Sequence, residues 1–313
     1  MSKIKKALKE NKLTKGVYKA LSNIYNYKYK IMSDEKFAKT KYEKRMGLKL
    51  DLDNPKTFDD KIWWLKINYH NPLITMCSDK YWVRDYVKMC GFSDILIELY
   101  GVYDKFEDID FEKLPNKFFI KTNHGSGTNI IYDKSKNFDF EKYKKLFNKS
   151  LNNNYYYVHR EWGYKNIEPK IICEKVLVEK NRKVPLDYKL FCFNGRVEYV
   201  TVNLASSDEN GNHMETVEKN FYDRDFNYID VRFSDDNFDP SLIQKPKNLD
   251  RMIEIAEKLS SPFPEVRVDL YNIDGKIYFG EMTFYHNGGY NESTPKDFVI
   301  KMGEKIKLPS IDK

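Results

Sequence analysis

The chain has 313 residues, of which 41% are hydrophobic, 32% charged and 15% aromatic, a composition that excludes a disordered chain and allows two or three compact lobes. The net charge of +7 comes from residues 1–30, which hold nine lysines and one glutamate; the rest carries 45 basic and 46 acidic side chains. This balance argues against nucleic-acid binding, since a binding groove would carry the basic excess.

The compartment is indicated by what the sequence lacks. No apolar run approaches the length of a membrane span, and the first residues have no apolar signal-peptide core. The four cysteines are scattered without a CxxC pair, which favours reduced thiols over disulfides or zinc. We therefore expect a cytoplasmic protein.

Residues 1–30 carry apolar side chains at helical spacing with lysines between them. Such a helix can lie on an anionic membrane surface, or it can pack its apolar stripe on its own domain. Gly16 interrupts the pattern and no aromatic anchor lies deep in the stripe, which favours packing. Peripheral contact with the inner face of the membrane stays open as the alternative.

The first part of the chain, residues 1–75, is predicted to be helical. Ser78 or Asp79 can cap a helix that runs to Lys88, and Gly91 ends it.

Strand patterns dominate the middle of the chain. Residues 95–135 contain "ILIELYGVY", "FFIKTN" and "NIIYD", and a lysine-rich helix is predicted over 139–150. Residues 170–204 are rich in strands, with an Asn-Gly hairpin turn at 194–195. A last helix over 248–260 precedes the hairpin "EVRVDLYNIDGKIYFGEMTF". Because the elements lack a regular βαβ rhythm, the fold class is α+β.

The stretch "FFIKTNHGSGTNII" places Lys121 in a strand ahead of a glycine-rich turn, Gly125 to Gly127. A polyanion could lie against this lysine and the turn amides, but such turns are more often structural. No GK[ST] sequence follows, so the turn is not a Walker A loop, and no GxSxG elbow passes through Ser126.

The stretch "HREWGYKN", residues 159–166, has the spacing of a protein-kinase catalytic loop. In a kinase the glycine loop precedes the strand lysine, whereas here Lys121 precedes the glycines and no DFG follows. We interpret the match as coincidental.

The last hairpin places Arg267 and Asp269 on one face of its first strand. A two-residue turn would put Glu281 on the opposite face from Asp269. A three-residue turn, with Gly275 in the bulge position, would pair residue 267 with 281 and bring all three side chains together. Such a group suits Mg²⁺ held between protein and phosphates, or simply a cross-strand salt bridge.

Two charged pairs interrupt apolar strands. Glu174 and Lys175 lie in "IICEKVLV", where an adenine could bond to strand-edge backbone, and Asp187 and Lys189 share a face of "DYKLF". Both pairs are also typical of edge strands.

Taken in order, these segments resemble the ATP-grasp superfamily, and within it the TupA-like proteins of bacterial surface-polysaccharide synthesis. The resemblance runs through "NPKTFDDKIWWLK", "SDKYWVRDYV", "LPNKFFIKTNHGSGTN", "EPKIICEKVL", "DYKLFCFNGRVEYV", "RVDLYNIDGKIYFGEMTF" and "DFVIKMGEKIKLP". It implies a helical region (1–75), a first lobe with the glycine-rich loop (76–177) and a second lobe with the Mg²⁺-binding hairpin (178–313), with ATP clasped between the lobes.

The resemblance implies lysines at the phosphates, a glycine loop above them, an adenine-side hinge and an acid at the ribose. The residues so implied are Lys80, Lys121, Gly125, Ser126, Gly127, Glu174, Lys175, Val176, Leu177, Asp187 and Lys189.

It further implies that Asp269 and Glu281 hold Mg²⁺ and that Arg267 faces the reacting carboxyl group. Thr283 stands where the superfamily usually has asparagine, and its hydroxyl can still ligate the ion. Lys121 and Lys189 complete the implied catalytic set with Arg267.

The implied function is an ATP-dependent carboxylate–amine ligase that works through an acyl phosphate. The expected partners are a carboxylated sugar, such as a uronic acid, and an amine such as an amino acid or amino sugar. Trp162, Tyr164 and His286 are candidates for the acceptor pocket. The alternatives are a glycosyltransferase of the same pathways and a non-catalytic carbohydrate- or membrane-associated module.

Overall fold

The computed structural model describes residues 29–311 except 181, 183, 205, 206, 213, 215, 216 and 234. Residues Met1–Leu50 form one compact unit and Asp51–Lys313 a second, and each is described by itself. In the described part of the first unit, helix α1 (Asp34–Met46) ends at Gly47, whose left-handed φ of 68° lets its N–H bond to Glu43 O.

The proposed amphipathic helix of residues 1–30 lies outside the described residues, apart from its last two positions, and its membrane contact stays a prediction. Among the described helices, none is long and apolar enough to span a bilayer.

The described helices of the second unit are mostly short. They are α2 (Phe58–Asn68), α3 (Pro72–Ser78), α4 (Val83–Met89), α5 (Phe140–Leu151), α6 (Tyr156–His159), α7 (Leu249–Ser260) and α8 (Phe298–Lys305), with 3-10 turns at Ser93–Ile95, Phe106–Asp108, Trp162–Tyr164, Pro240–Leu242 and His286–Gly288.

The strands form two antiparallel sheets, so the α+β prediction is confirmed. The four-stranded sheet has the order β1 (Leu99–Tyr103), β4 (Ile171–Glu174), β2 (Lys117–Thr122), β3 (Asn129–Asp133). The six-stranded sheet has the order β10 (Lys276–Thr283), β9 (Glu265–Ile273), β5 (Asp187–Phe193), β6 (Arg196–Asn203), β7 (Lys219–Asp223), β8 (Tyr228–Ile229).

Each sheet has its own apolar core. The smaller core joins Phe118 and Ile120 of β2 to Phe147 of α5. The larger core packs the six-stranded sheet against α7, whose Met252 and Ile255 are fully buried. The four-stranded and six-stranded sheets are therefore separately stabilised platforms.

Helix boundaries follow from capping. Thr57 and Asp60 form a capping box at the start of α2, and Asp139 accepts from Lys142 N at the start of α5. Asp79 caps the turn that leads into α4 by accepting from Tyr81 N, so that helix begins at Val83. The predicted helices over 139–150 and 248–260 are confirmed within a residue.

Among the α-helices and strands, four were not predicted: α6, α8, β7 and β8. Helix α8 contains Gly303, which weakens a helical pattern. A Cβ at Gly303 would lie 2.3 Å from Lys56 O, so the glycine lets α8 pack directly on the backbone before α2.

Candidate active site

The last hairpin has the shorter of the two turns considered above. Ile273 pairs with Lys276, so the connection is the two-residue Asp274–Gly275, and both residues have positive φ as a type I′ turn requires. With regular pairing this turn would place Glu281 and Asp269 on opposite faces.

A β-bulge between Phe279 and Glu281 corrects the register. Beyond it Glu281 lies directly opposite Asp269, and Thr283 lies opposite Arg267. Gly280 occupies the bulge, where a Cβ would lie 3.0 Å from Asp269 O. Of the two turns considered from the sequence, the three-residue one is not formed, and the bulge brings the side chains together instead.

The Arg267 guanidinium contacts four polar side chains, those of Asp269, Glu281, Thr283 and His286. Its Nε donates to Asp269 Oδ1 at 2.6 Å, and one terminal nitrogen donates to Asp269 Oδ2 at 2.7 Å and Thr283 Oγ1 at 3.0 Å. Glu281 Oε1 lies 3.6 Å from the same nitrogen. The other terminal nitrogen donates to His286 Nδ1 at 2.8 Å, so that imidazole is neutral, in keeping with a pKa held well below its usual range by burial and by Arg267.

Lys189 extends the network to the neighbouring strand β5. Its ammonium lies 2.6 Å from Asp187 Oδ2 and 2.6 Å from Asp269 Oδ2. Burial disfavours the charged lysine, but the two carboxylates more than offset this and raise the pKa of Lys189.

Glu281 is the acid of this network that reaches towards the glycine loop. Burial opposes its ionisation, but Lys80, Arg267 and Lys189 together lower the pKa of Glu281 to about 2. Lys80 Nζ lies 3.5 Å from Glu281 Oε2 and donates to Gly125 O at 2.7 Å. A single lysine therefore links the glycine loop to the acidic hairpin.

The loop is also attached through its backbone. Lys80 N donates to Asn123 O, and the buried Asn123 amide donates to Asp79 Oδ2 at 3.0 Å. Beyond this anchored base, Ser126 and Gly127 are exposed.

Lys121, on β2, pairs with Glu174 at the end of β4. Its Nζ lies 2.5 Å from Glu174 Oε1, and both side chains are largely buried. Past Glu174 the strand ends; Lys175 is exposed and its N–H donates to Glu98 O, while Val176 and Leu177 are half-buried in irregular chain.

The phenol of Tyr271 on β9 lies close enough to acids of both sheets to respond to their charges. Burial raises the pKa of the phenol well above the usual range, and the charges of Asp187, Glu281, Asp269 and Glu174 raise it further. Acids from the four-stranded and six-stranded sheets therefore act on one phenol.

The three predicted acceptor residues lie in different surroundings. Trp162 stacks on His70 with ring centroids 5.0 Å apart. Tyr164 lies close enough to Glu161 and Glu281 to respond to their charges, with burial the larger reason for its raised pKa. His286 is buried beneath Arg267.

Comparison with protein-family models finds one that matches most of this chain. The family model "TupA-like ATPgrasp" matches residues 60–307. The chain belongs to the TupA-like ATP-grasp family. The family prediction is thereby confirmed, and with it membership of the ATP-grasp superfamily. No curated protein is significantly similar to the chain.

Solved ATP-grasp structures are similar at low identity. They include the D-alanine–D-alanine ligase of Bacillus anthracis (16% identity, TM-score 0.40, 71% of this chain and 63% of that one), the biotin carboxylase of Campylobacter jejuni (13%, 0.43, 75% and 48%) and the D-cycloserine synthetase DcsG (14%, 0.42, 75% and 70%). The chain thus spans less than two thirds of the first two proteins.

The donor set of this TupA-like ATP-grasp chain fits a hard cation. Asp269, Glu281 and Thr283 offer carboxylate and hydroxyl oxygens on one face of the hairpin, which is the chemistry that Mg²⁺ requires. Across the described residues no three His, Cys, Asp or Glu side chains form a metal site on their own.

Two buried charges near the TupA-like site were missed from the sequence. Glu161, in the segment interpreted as a coincidental kinase match, is 6% exposed, and Lys66 of α2 is 1% exposed. Burial raises the pKa of Glu161 to about 7 and lowers that of Lys66 to about 7. A sequence pattern cannot distinguish them from exposed charges, because the burial is created by loops distant in the chain.

Proposed function

We propose that this protein is an ATP-dependent ligase that joins a carboxylate to an amine through an acyl phosphate. The observation that carries the proposal is the position of Lys80, which touches both Gly125 O and Glu281 Oε2. A lysine-and-glycine loop and a carboxylate-bearing hairpin thus face each other, as binding of a triphosphate with its cation requires. Membership of the TupA-like ATP-grasp family supports the same conclusion.

In the first step a substrate carboxylate oxygen attacks the γ-phosphorus of ATP, and the bond to ADP breaks. Arg267 is oriented by its contacts to Asp269 and His286, so its guanidinium is held ready for the reacting carboxyl group. Lys121 and Lys189 offset the charge that develops on the phosphates. Mg²⁺, held by Asp269, Glu281 and Thr283, would neutralise phosphate charge as a Lewis acid.

The nucleotide would lie between the two sheets. We assign the phosphates to Lys80, Lys121 and the glycine loop, the adenine to the chain after β4, and the ribose to Asp187. The assigned set is Lys80, Lys121, Gly125, Ser126, Gly127, Glu174, Lys175, Val176, Leu177, Asp187 and Lys189. Because Lys121 pairs with Glu174 in this structure, ATP binding is expected to redirect its ammonium towards phosphate.

The proposed substrates are a uronic acid, free or in a sugar nucleotide or glycan, and an amino acid or amino sugar. The setting of TupA-like proteins supports a place in capsule or surface-polysaccharide synthesis. Trp162 and Tyr164 would border the acceptor.

The test incubates the protein with ATP, Mg²⁺, a panel of uronates (D-glucuronate, D-galacturonate, UDP-glucuronate) and a panel of common amino acids and glucosamine. Release of ADP and phosphate should require both a carboxylate and an amine. Asp269→Asn should abolish this release, and the matched variant Asp225→Asn, at an exposed site in the turn between β7 and β8, should not.

Two results would contradict the proposal. The first is ATP turnover that is indifferent to carboxylate and amine. The second is tight binding of UDP-sugars without ATP binding in titration calorimetry, which would favour the glycosyltransferase.

A further inference from the structure

The six-stranded sheet continues its polar face past Arg267. Glu265 precedes Arg267 by two residues on β9, so both side chains lie on the same face, roughly 7 Å apart along the strand. Asp269 lies on the same face too, roughly 7 Å from Arg267 in the opposite direction along the strand. The face therefore carries the cation-binding acid, then the arginine for the reacting carboxyl, then a second acid.

Glu265 is buried, and its carboxylate is only partly hydrogen-bonded. It is 3% exposed, and its Oε2 accepts from Tyr285 N at 3.3 Å. Within the part of the chain that the structure describes, neither Glu265 Oε1 nor the buried Tyr285 hydroxyl has a hydrogen-bond partner. Buried polar atoms are costly to leave unpaired, so an unmade contact of this kind points to a missing ligand.

Glu161 approaches the same place from the segment after α6. The backbone turns through a left-handed conformation at Arg160 (φ 56°), and the Glu161 carboxylate is carried inward to face Gly288. Among the described residues it makes no hydrogen bond and no ion pair within 4 Å. The ammonium of Lys66 donates to Gly288 O instead, at 2.7 Å.

The two acids meet at the same turn: Glu265 accepts from Tyr285 N, and Glu161 faces Gly288, whose N–H donates to Tyr285 O. Burial raises the pKa of Glu265 to about 8, and the negative charge of Glu161 adds to that effect. Lys80, which touches Glu281, acts on Glu161 as well. Glu161 and Glu265 thus lie beside the Arg267 network, and Glu265 is on the opposite side of Arg267 from Asp269.

We propose that Glu161 and Glu265 form the pocket for an acceptor that arrives as a primary ammonium ion, and that Glu161 removes its proton. This inference rests on the proposed ligase function and specifies its second substrate. An ammonium has three N–H donors, which matches the Glu161 carboxylate, Glu265 Oε1 and the Tyr285 hydroxyl oxygen. The positive charge of the bound ammonium also offsets the desolvation and mutual repulsion of two buried carboxylates.

The reaction then balances. Glu161 takes one proton from the ammonium, which frees the nitrogen lone pair. The nitrogen attacks the acyl carbon, a C–N bond forms, and the bond from that carbon to the phosphate oxygen breaks. The departing phosphate takes the second proton from nitrogen, the amide is left, and Glu161 returns its proton to solvent.

The test compares two nucleophiles on the same activated carboxylate. Common amino acids and glucosamine are protonated at neutral pH and need a base, whereas hydroxylamine is largely unprotonated and traps an acyl phosphate as a hydroxamate without one. Glu161→Gln should lower the amine rate by about 100-fold and leave hydroxamate formation largely unchanged. Glu265→Gln should raise the KM for the amine about tenfold with a smaller change in kcat.

The pH profile gives a second readout. The amine rate should rise with pH as Glu161 loses its proton near pH 7, a limb that Glu161→Gln and the hydroxylamine reaction should both lack. The charged and titratable groups that face Glu161 from the surrounding elements are Lys66, Lys80, Tyr155, His159, Tyr164, Glu265 and Tyr285.

Controls separate catalysis from folding. Glu161→Asp keeps a carboxylate and should retain a measurable part of the amine rate, and Glu254→Gln, on the exposed face of α7, should change nothing. Thermal melting of each variant reports on folding.

Three results overturn the inference: equal loss of both reactions in Glu161→Gln, which would mark a structural pair with Lys66; no loss in either; or wild-type hydroxamate formation without turnover of any protonated amine. Absence of ATP-dependent hydroxamate with every uronate would instead remove the ligase function itself, and the pocket with it.

Discussion

The two sides of the candidate site are built differently. On the hairpin side, formed by Arg267, Asp269, Glu281 and Thr283, one guanidinium contacts all three other side chains. On the loop side, formed by Lys121 and residues 125–127, the contacts are a lysine paired with Glu174 and a lysine on Gly125 O, and the tip is exposed.

The difference shows where the geometry is fixed before the nucleotide arrives. Arg267 is oriented by a web of short bonds in a buried setting, so little reorganisation is needed there during reaction. The loop side presents positive charge and backbone N–H groups, to which phosphate oxygens would bond. We therefore expect changes on the hairpin side to lower kcat and changes on the loop side to weaken ATP binding.

In the comparison of the two sides, the largest effect is expected from Arg267→Lys. Lysine keeps the charge but cannot bond to Asp269 through two nitrogens while also reaching His286 and Thr283. Uronate-dependent ADP release should fall by about 10²–10³-fold in kcat.

The control for this change is Arg196→Lys, an exposed arginine on β6, which is separated from β9 by β5 in the same sheet, and this variant should behave as wild type. Retention of most of the kcat by Arg267→Lys would show that charge alone suffices and that the hairpin side is not the preoriented half.

The same hairpin shows how far sequence reasoning extends. Period two placed Arg267 and Asp269 on one face, and the resemblance supplied Glu281 as their partner. The physical device that brings them together, a bulge at Gly280, was not found, because only the length of the turn was considered as the feature that sets the register. A glycine in a strand can mark a bulge, and that signal was available.

Segments whose role depends on distant burial were beyond prediction. Glu161 lies among residues from α2, β9 and the chain after β10, so its surroundings exist only in the folded unit. Helix α8 was missed because Gly303, unfavourable in a helix by itself, is required by the close approach of Lys56 O. In contrast, α5 follows from its cap at Asp139, α7 from the helical spacing of its apolar residues, and the Asn194–Gly195 turn from turn chemistry.

A smaller effect is expected from Lys80→Met on the loop side. The change removes a charge-assisted hydrogen bond to Gly125 O and the link to Glu281, while methionine preserves the apolar stem. Loss of such a bond costs about 1.5–3 kcal/mol, so the KM for ATP should rise about tenfold or more with kcat changed much less.

Lys88→Met, an exposed lysine paired with Asp85 on α4, is the matched control and should leave both constants unchanged. If Lys80→Met instead lowered kcat with no change in the KM for ATP, Lys80 would belong functionally to the hairpin side.

The smallest effect compares one glycine from each side. Neither Gly280 nor Gly125 has positive φ, so alanine restricts the unfolded chain similarly at both positions. The new methyl group would meet fixed backbone at Gly280, with Asp269 O at 3.0 Å, but at Gly125 it would meet the movable ring of Tyr155 at 3.3 Å. Urea unfolding should show Gly280→Ala destabilised by about 1–2 kcal/mol and Gly125→Ala within about 0.5 kcal/mol of wild type. If the two variants had equal free energies of unfolding, the backbone at the bulge would accommodate a methyl group as easily as the loop does. The hairpin would then be no more rigid than the loop.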